Sequence, residues 1–190
     1  NIKQNFKNLS SMSTILKYLK FQIIHNNLFE LISDFEKNLF KLNKLRVNQT
    51  LFVCGMPRSG TTFLTHLINS STKYSSYKYK DLPFYTTPIL WNYFSPFFYG
   101  NKKKIERKHG DGLLIDKYSP DSFEELIWKQ LIPDYEKNGY WQYLNENSNI
   151  KLEKIELFIK KVIHIYKKKD YLSKNNNNVF RINYILNKIP

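Results

Sequence analysis

From about Asn8 to Leu45, apolar residues such as Leu16, Leu19, Ile23, Leu28, Leu31 and Phe35 recur at helical spacing, which predicts one or two amphipathic helices. The pattern then changes. Gln49 to Cys54 is a short apolar run closed by Gly55, as expected of a buried parallel strand. Thr61 to Ser70 returns to helical spacing through Phe63, Leu64, Leu67 and Ile68. A tyrosine-rich strand is expected over Ser75 to Lys80, ended by Asp81-Leu82-Pro83, because proline removes a backbone donor and restricts the residue before it. The uncharged aromatic run Thr86 to Gly100 reads as a buried helix and loop, and the lysine-rich stretch Asn101 to Gly112 as a loop. A helix is expected from Ser119-Pro120-Asp121-Ser122 through Leu131, its first-turn acids Asp121, Glu124 and Glu125 suited to the positive end of the helix dipole. Ile150 to Lys168 is a further amphipathic helix. Asp170 to Lys174 is a candidate strand, Asn175 to Asn178 a turn, and Val179 to Lys188 a last helix.

This order predicts one α/β domain, a parallel sheet with flanking helices, over residues 49–190, preceded by a helical arm over 1–48. In such sheets ligands sit beyond the carboxyl ends of the strands, so Gly55, Asp81 and Lys174 are expected to face one crevice. Gly55 and Gly60 have the spacing of a phosphate-cradling loop between strand and helix, whose backbone N–H groups converge on anionic oxygens. A nucleoside-triphosphate loop continues with Lys and then Ser or Thr. Here Thr61 stands in the lysine position, while Arg58 offers a planar fork to a terminal anion and Thr61 and Thr62 offer hydroxyls.

Pro57-Arg58-Ser59-Gly60-Thr61-Thr62, following an apolar strand, resembles the 5′-phosphosulfate-binding loop of the sulfotransferase family, in the branch with Arg rather than Lys in the loop. The resemblance implies a P-loop nucleoside triphosphate hydrolase-like architecture and 3′-phosphoadenosine 5′-phosphosulfate (PAPS) as the sulfonate donor. It implies that Arg58, Ser59, Gly60, Thr61 and Thr62 bind PAPS, that Arg58 and Lys174 stabilise the transferring sulfonate, and that Asp81 is the general base on an acceptor hydroxyl of a carbohydrate, protein or small molecule. No metal is needed for that scheme. The family more often has Glu or His where this chain has Asp81. The family's 3′-phosphate site, an Arg and a Ser on a later strand and helix, is not found before Pro190, so the resemblance spans Thr50 to Pro190 and the domain reads as C-terminally incomplete and inactive as it stands.

The 190 residues suffice for one sizeable core. Their formal charge of +14 favours polyanionic partners, although the excess is mostly lysine dispersed with Asn, Ile and Tyr along the whole length. Without a recognisable nucleic-acid motif, a basic nucleic-acid-binding module ranks third and no nucleic-acid partner is expected. A P-loop kinase or NTPase is the nearer alternative, with Leu113-Leu114-Ile115-Asp116 superficially like the strand and Asp that hold Mg²⁺. Cys54 is the only cysteine, which excludes an intrachain disulfide and a thiolate metal cluster. No stretch approaches the roughly 18 consecutive apolar residues of a membrane span, and no signal peptide is visible, so a cytoplasmic setting is favoured. His109-Gly110-Asp111-Gly112 reads as turn chemistry, and His25, His66 and His164 as surface or packing residues without metal-ligand spacing.

Overall fold

The structure is a computed structural model that describes residues 12–71, 73–98, 104–106, 112–132, 135, 144 and 148–189. The chain forms two compact units, one of Asn1–Asn43 with Lys78–Ser119 and one of Lys44–Tyr77 with Pro120–Pro190. The segment Lys78–Ser119 therefore groups with the N-terminal arm rather than with the strands on either side of it.

In the first unit, α1 (Met12–Ile24) and α2 (Asn26–Leu39) are the two expected helices, but the apolar positions Ile23, Leu28, Leu31 and Phe35 that set their period are exposed, and α2 buries Phe29 and Glu36 instead. Phe29 stacks on Phe84 at 5.8 Å between ring centroids, and Phe84 meets Trp91 at 5.0 Å, so arm and aromatic run share a core. The run folds as α4 (Pro88–Phe98). It buries Ile89 and Trp91 but exposes Tyr93, Phe94 and Phe97. Its N-terminus is capped from a distance: Glu36, fully buried, accepts the Leu90 N–H at 2.7 Å, placing a carboxylate at the positive end of the helix. Pro96 lacks the N–H that would reach the Asn92 carbonyl, and the Ser95 hydroxyl donates to it instead at 3.2 Å. A two-stranded antiparallel hairpin, β3 (Ile105–Glu106) and β4 (Leu114–Ile115), replaces part of the expected loop.

The second unit holds a three-stranded parallel sheet in the order β1 (Gln49–Val53), β5 (Asp170–Lys174), β2 (Tyr74–Ser75). The chain leaves β1 through α3 (Thr61–Ser70) and enters β2 one strand away, which leaves the central position for β5. Every residue of β5 is buried, as expected of a parallel strand covered on both faces. α6 (Leu152–Tyr166) packs Phe158 against Tyr77 at 5.2 Å, and Tyr77 also meets Phe123 at 5.9 Å. The α/β class with a parallel sheet and flanking helices is thus present. Among the described residues no helix is long and apolar enough to cross a membrane.

Three expected elements differ, two of them through side chains that compete for backbone groups. β2 stops at Ser75, because the Asp81 carboxylate accepts the Lys78 N–H at 3.0 Å and the Asp81 N–H returns to the Lys78 carbonyl at 2.9 Å, winding Tyr79–Phe84 into a 3₁₀ turn. Asp81 therefore sits in a turn, not at a strand end. The helix expected from Ser119 begins only with α5 (Glu125–Leu131), since Asp121 accepts the Ser122 N–H at 2.8 Å and holds the preceding residues in turns. The helix expected from Val179 is split into a 3₁₀ turn, Asn176–Phe180, and α7 (Ile182–Lys188).

Candidate functional site

Residues 54–60 join β1 to α3, and two left-handed residues shape them: Arg58 at φ 68° and Gly60 at φ 80°. Glycine adopts that region freely, whereas an arginine there costs about 1 kcal/mol, a strain that turns the backbone sharply into the helix. Gly55 sits in a tight place, because a Cβ at this position would lie 3.0 Å from Ser59 Oγ and 3.1 Å from Thr61 Cγ2, and those side chains would have to give way. Ser59 closes the turn, its N–H and its hydroxyl both donating to the Met56 carbonyl, at 3.2 and 2.6 Å. The hydroxyl expected to bind a ligand is thus used inside the loop. Thr61 and Thr62 occupy the first turn of α3, where backbone N–H groups have no partner within the helix. Residues 56–60, Arg58 among them, are exposed to solvent. Burial pushes the Cys54 thiol above its ordinary pKa, so the residue that opens the loop is a packing group and not a reactive thiolate.

β5 delivers a second set of groups to the same end of the sheet. Val53 and Lys174 are register partners at the last residues of their strands, and the Asn175 N–H bonds to the Val53 carbonyl at 3.0 Å. Lys174 follows Ser173 to the strand's carboxyl end as expected, and its side chain is only 7% exposed. Its ammonium donates to Ser122 Oγ at 2.9 Å and lies 3.6 Å from Asp121 Oδ1. Asn176 accepts a hydrogen bond from the Thr61 hydroxyl at 3.3 Å, which ties the segment after β5 to the first residue of α3. From the other side of α3, His66 Nε2 donates to the Pro120 carbonyl at 3.2 Å, next to Asp121 and Ser122.

Beneath this face lies a buried polar network. The Arg181 guanidinium, fully buried, forks onto both carboxylate oxygens of Glu125 at 2.9 Å each and stacks 4.8 Å from the Trp128 ring. Glu125 also accepts from the Asn175 amide and the Tyr135 hydroxyl. Glu124 accepts from Trp128 Nε1 at 2.7 Å and from the Tyr171 hydroxyl at 2.8 Å. Burial, then the Glu124 carboxylate, holds the Tyr171 phenol well above its ordinary pKa. The paired acids are therefore internal anchors for the segment 174–181.

Arg58, Ser59, Gly60, Thr61, Thr62 and Lys174 thus belong to one unit, with Thr61 and Lys174 both reached from the end of β5. Asp81 belongs to the other unit, where it is buried, accepts the Lys78 N–H and faces Lys80 Nζ at 3.5 Å. Leu113 to Asp116 lies in the β3–β4 hairpin and not in the parallel sheet. Asp116 there accepts the Tyr118 N–H at 2.8 Å, a turn role rather than that of a metal-holding strand end. Of His109-Gly110-Asp111-Gly112, only Gly112 is within the described residues. Sequence reasoning missed Asp121, Ser122, Asn176 and Arg181. The doublet Glu124-Glu125 was the available signal, since two adjacent acids in a basic chain invite a search for an internal cation. No protein-family model, curated protein or solved structure matches the chain.

Proposed function

We propose that this chain carries the donor-binding part of a PAPS-dependent sulfotransferase, the loop at 55–62 receiving the 5′-phosphosulfate. The observation that carries the reading is the juxtaposition of a glycine-bounded loop containing Arg58 with the buried Lys174 at the end of the neighbouring strand. First-turn N–H groups at Thr61 and Thr62 suit phosphate oxygens, and the strain at Arg58 is of the kind that accumulates where backbone geometry serves a ligand. With Thr61 in place of the loop lysine, the loop lacks the ammonium that a nucleoside-triphosphate loop extends to the β and γ phosphates, which favours a phosphosulfate over a nucleoside triphosphate.

In this reading an acceptor hydroxyl oxygen attacks the sulfur of PAPS, and the bond from sulfur to the phosphate oxygen breaks. Adenosine 3′,5′-bisphosphate (PAP) leaves, and the hydroxyl proton passes to a carboxylate. Arg58 and Lys174 neutralise charge on the sulfonate in flight, lowering the barrier by a few kcal/mol each, on the order of other preorganised donors. The base is assigned to Asp81 on the resemblance alone. Transfer is followed, in a chain that also supplies the 3′-phosphate site, as PAP release from PAPS in the presence of hydroxyl acceptors. Arg58→Ala abolishes it, and Asp81→Asn lowers turnover while donor binding is retained. Wild-type turnover in Asp81→Asn rejects that residue as the base.

A further inference from the structure

Lys174 is one of 30 Lys and Arg residues, yet it is buried and held, and what holds it lies outside the loop. Its ammonium donates to Ser122 Oγ at 2.9 Å; that hydroxyl is 3.3 Å from Ser119-side neighbour Asp121, whose Oδ1 also accepts the Ser122 N–H at 2.8 Å. The three side chains form a relay in which Ser122 accepts from lysine and donates to aspartate. A hydroxyl can do both at once, and the direction of its proton is set by the carboxylate. Asp121 stands 3.6 Å from the ammonium and so compensates its charge without a close contact. An ammonium has three N–H donors. Among the described residues the bond to Ser122 takes one of them, with the Asp121 carboxylate 3.6 Å away.

We propose that Ser122, oriented by Asp121, is a positioning residue for Lys174. It fixes the four-carbon stem in one rotamer so that another N–H addresses the sulfonate of the donor. A flexible lysine loses much rotamer freedom when it binds an anion, and a lysine already fixed has lost it beforehand. The proposal rests on the donor reading above and adds to it the residue that sets the grip on the sulfonate. His66 supports the same turn from α3 through the Pro120 carbonyl, which couples the position of Ser122 to the helix that carries the loop.

The test is a double-mutant cycle in equilibrium binding, with PAPS and PAP as probes measured by calorimetry on the full chain. PAP lacks the sulfonate, so Lys174→Ala weakens PAPS by about tenfold or more and leaves PAP within about twofold. Ser122→Ala is expected to reproduce that selective loss, Ser122→Thr to recover it, and Ser122→Ala to add nothing in a Lys174→Ala background. Equal losses for PAPS and PAP, or the same loss with and without Lys174, overturn the positioning role. So does unchanged PAPS affinity in Ser122→Ala. Ser122→Cys, similar in size but a poor acceptor, repeats the test if the alanine variant loses its cooperative melt. A wild-type chain that binds neither probe overturns the donor reading itself, and that outcome is distinct from any of the others.

Discussion

Arg181→Ala is expected to destabilise the parallel-sheet unit more than any change in the loop. The guanidinium is fully buried, makes two 2.9 Å bonds to Glu125 and lies over Trp128, which is itself fully buried. Removing one partner of a buried pair costs about 3–5 kcal/mol, because the other charge is left without compensation. Two effects bear on where the loss falls. Glu125 keeps neutral donors from Asn175 and Tyr135, which softens it, while the lost stacking on Trp128 adds about 1 kcal/mol. A loss of about 4 kcal/mol follows. For a cooperative unit of about 100 residues, each kcal/mol lowers the midpoint by roughly 5 °C, so the melt falls by about 20 °C. Urea and thermal unfolding followed by tryptophan fluorescence measure this, with Trp128 inside the affected network. The companion variant Arg181→Met with Glu125→Gln removes both charges and is expected to recover at least half the loss, since a buried ion pair contributes little net stability beyond well-packed neutral residues. A loss below about 1 kcal/mol in Arg181→Ala, or a double variant less stable than the single, refutes the description of this network as the anchor of segment 174–181.

Gly55→Ala is expected to weaken PAPS binding by about tenfold with a stability cost near 1 kcal/mol, because its Cβ displaces the Ser59 hydroxyl that closes the loop onto Met56. Calorimetry and urea melts check the two quantities, and unchanged affinity denies the loop its role. Tyr171→Phe is expected to flatten the alkaline limb of the stability profile. The unfolded phenol ionises near its ordinary value of 10.0 while the folded one stays protonated, so its contribution is fully present below pH 10 and is lost above it, by about 1.4 kcal/mol per pH unit. Identical alkaline profiles for wild type and Tyr171→Phe contradict this.

The elements around the loop were legible because their signals agree. β1 is an apolar run ended by glycine, α3 follows at helical period, and Asp170 to Lys174 reads as a strand and is one over those same residues. What was not legible depends on side-chain competition for backbone groups, which periodicity does not register. Asp81 and Asp121 each take a neighbouring N–H and convert an expected strand end and an expected helix start into turns. The asparagine run is the clearest case, since by composition it resembles low complexity. In the structure Asn175 caps the turn by accepting the Asn177 N–H at 3.0 Å, Asn176 holds Thr61, and Asn178 is fully buried. Arg181 was hidden because its partner Glu125 is 56 residues away in sequence, a separation over which only the fold brings charges together.

Binding of PAPS and of Mg²⁺·ATP to the full chain, measured side by side by calorimetry, tests the central claim most directly. Saturable one-to-one binding of PAPS, unaffected by Mg²⁺ and with ATP at least about tenfold weaker, is the predicted result. Mg²⁺-dependent ATP binding with no affinity for PAPS contradicts it.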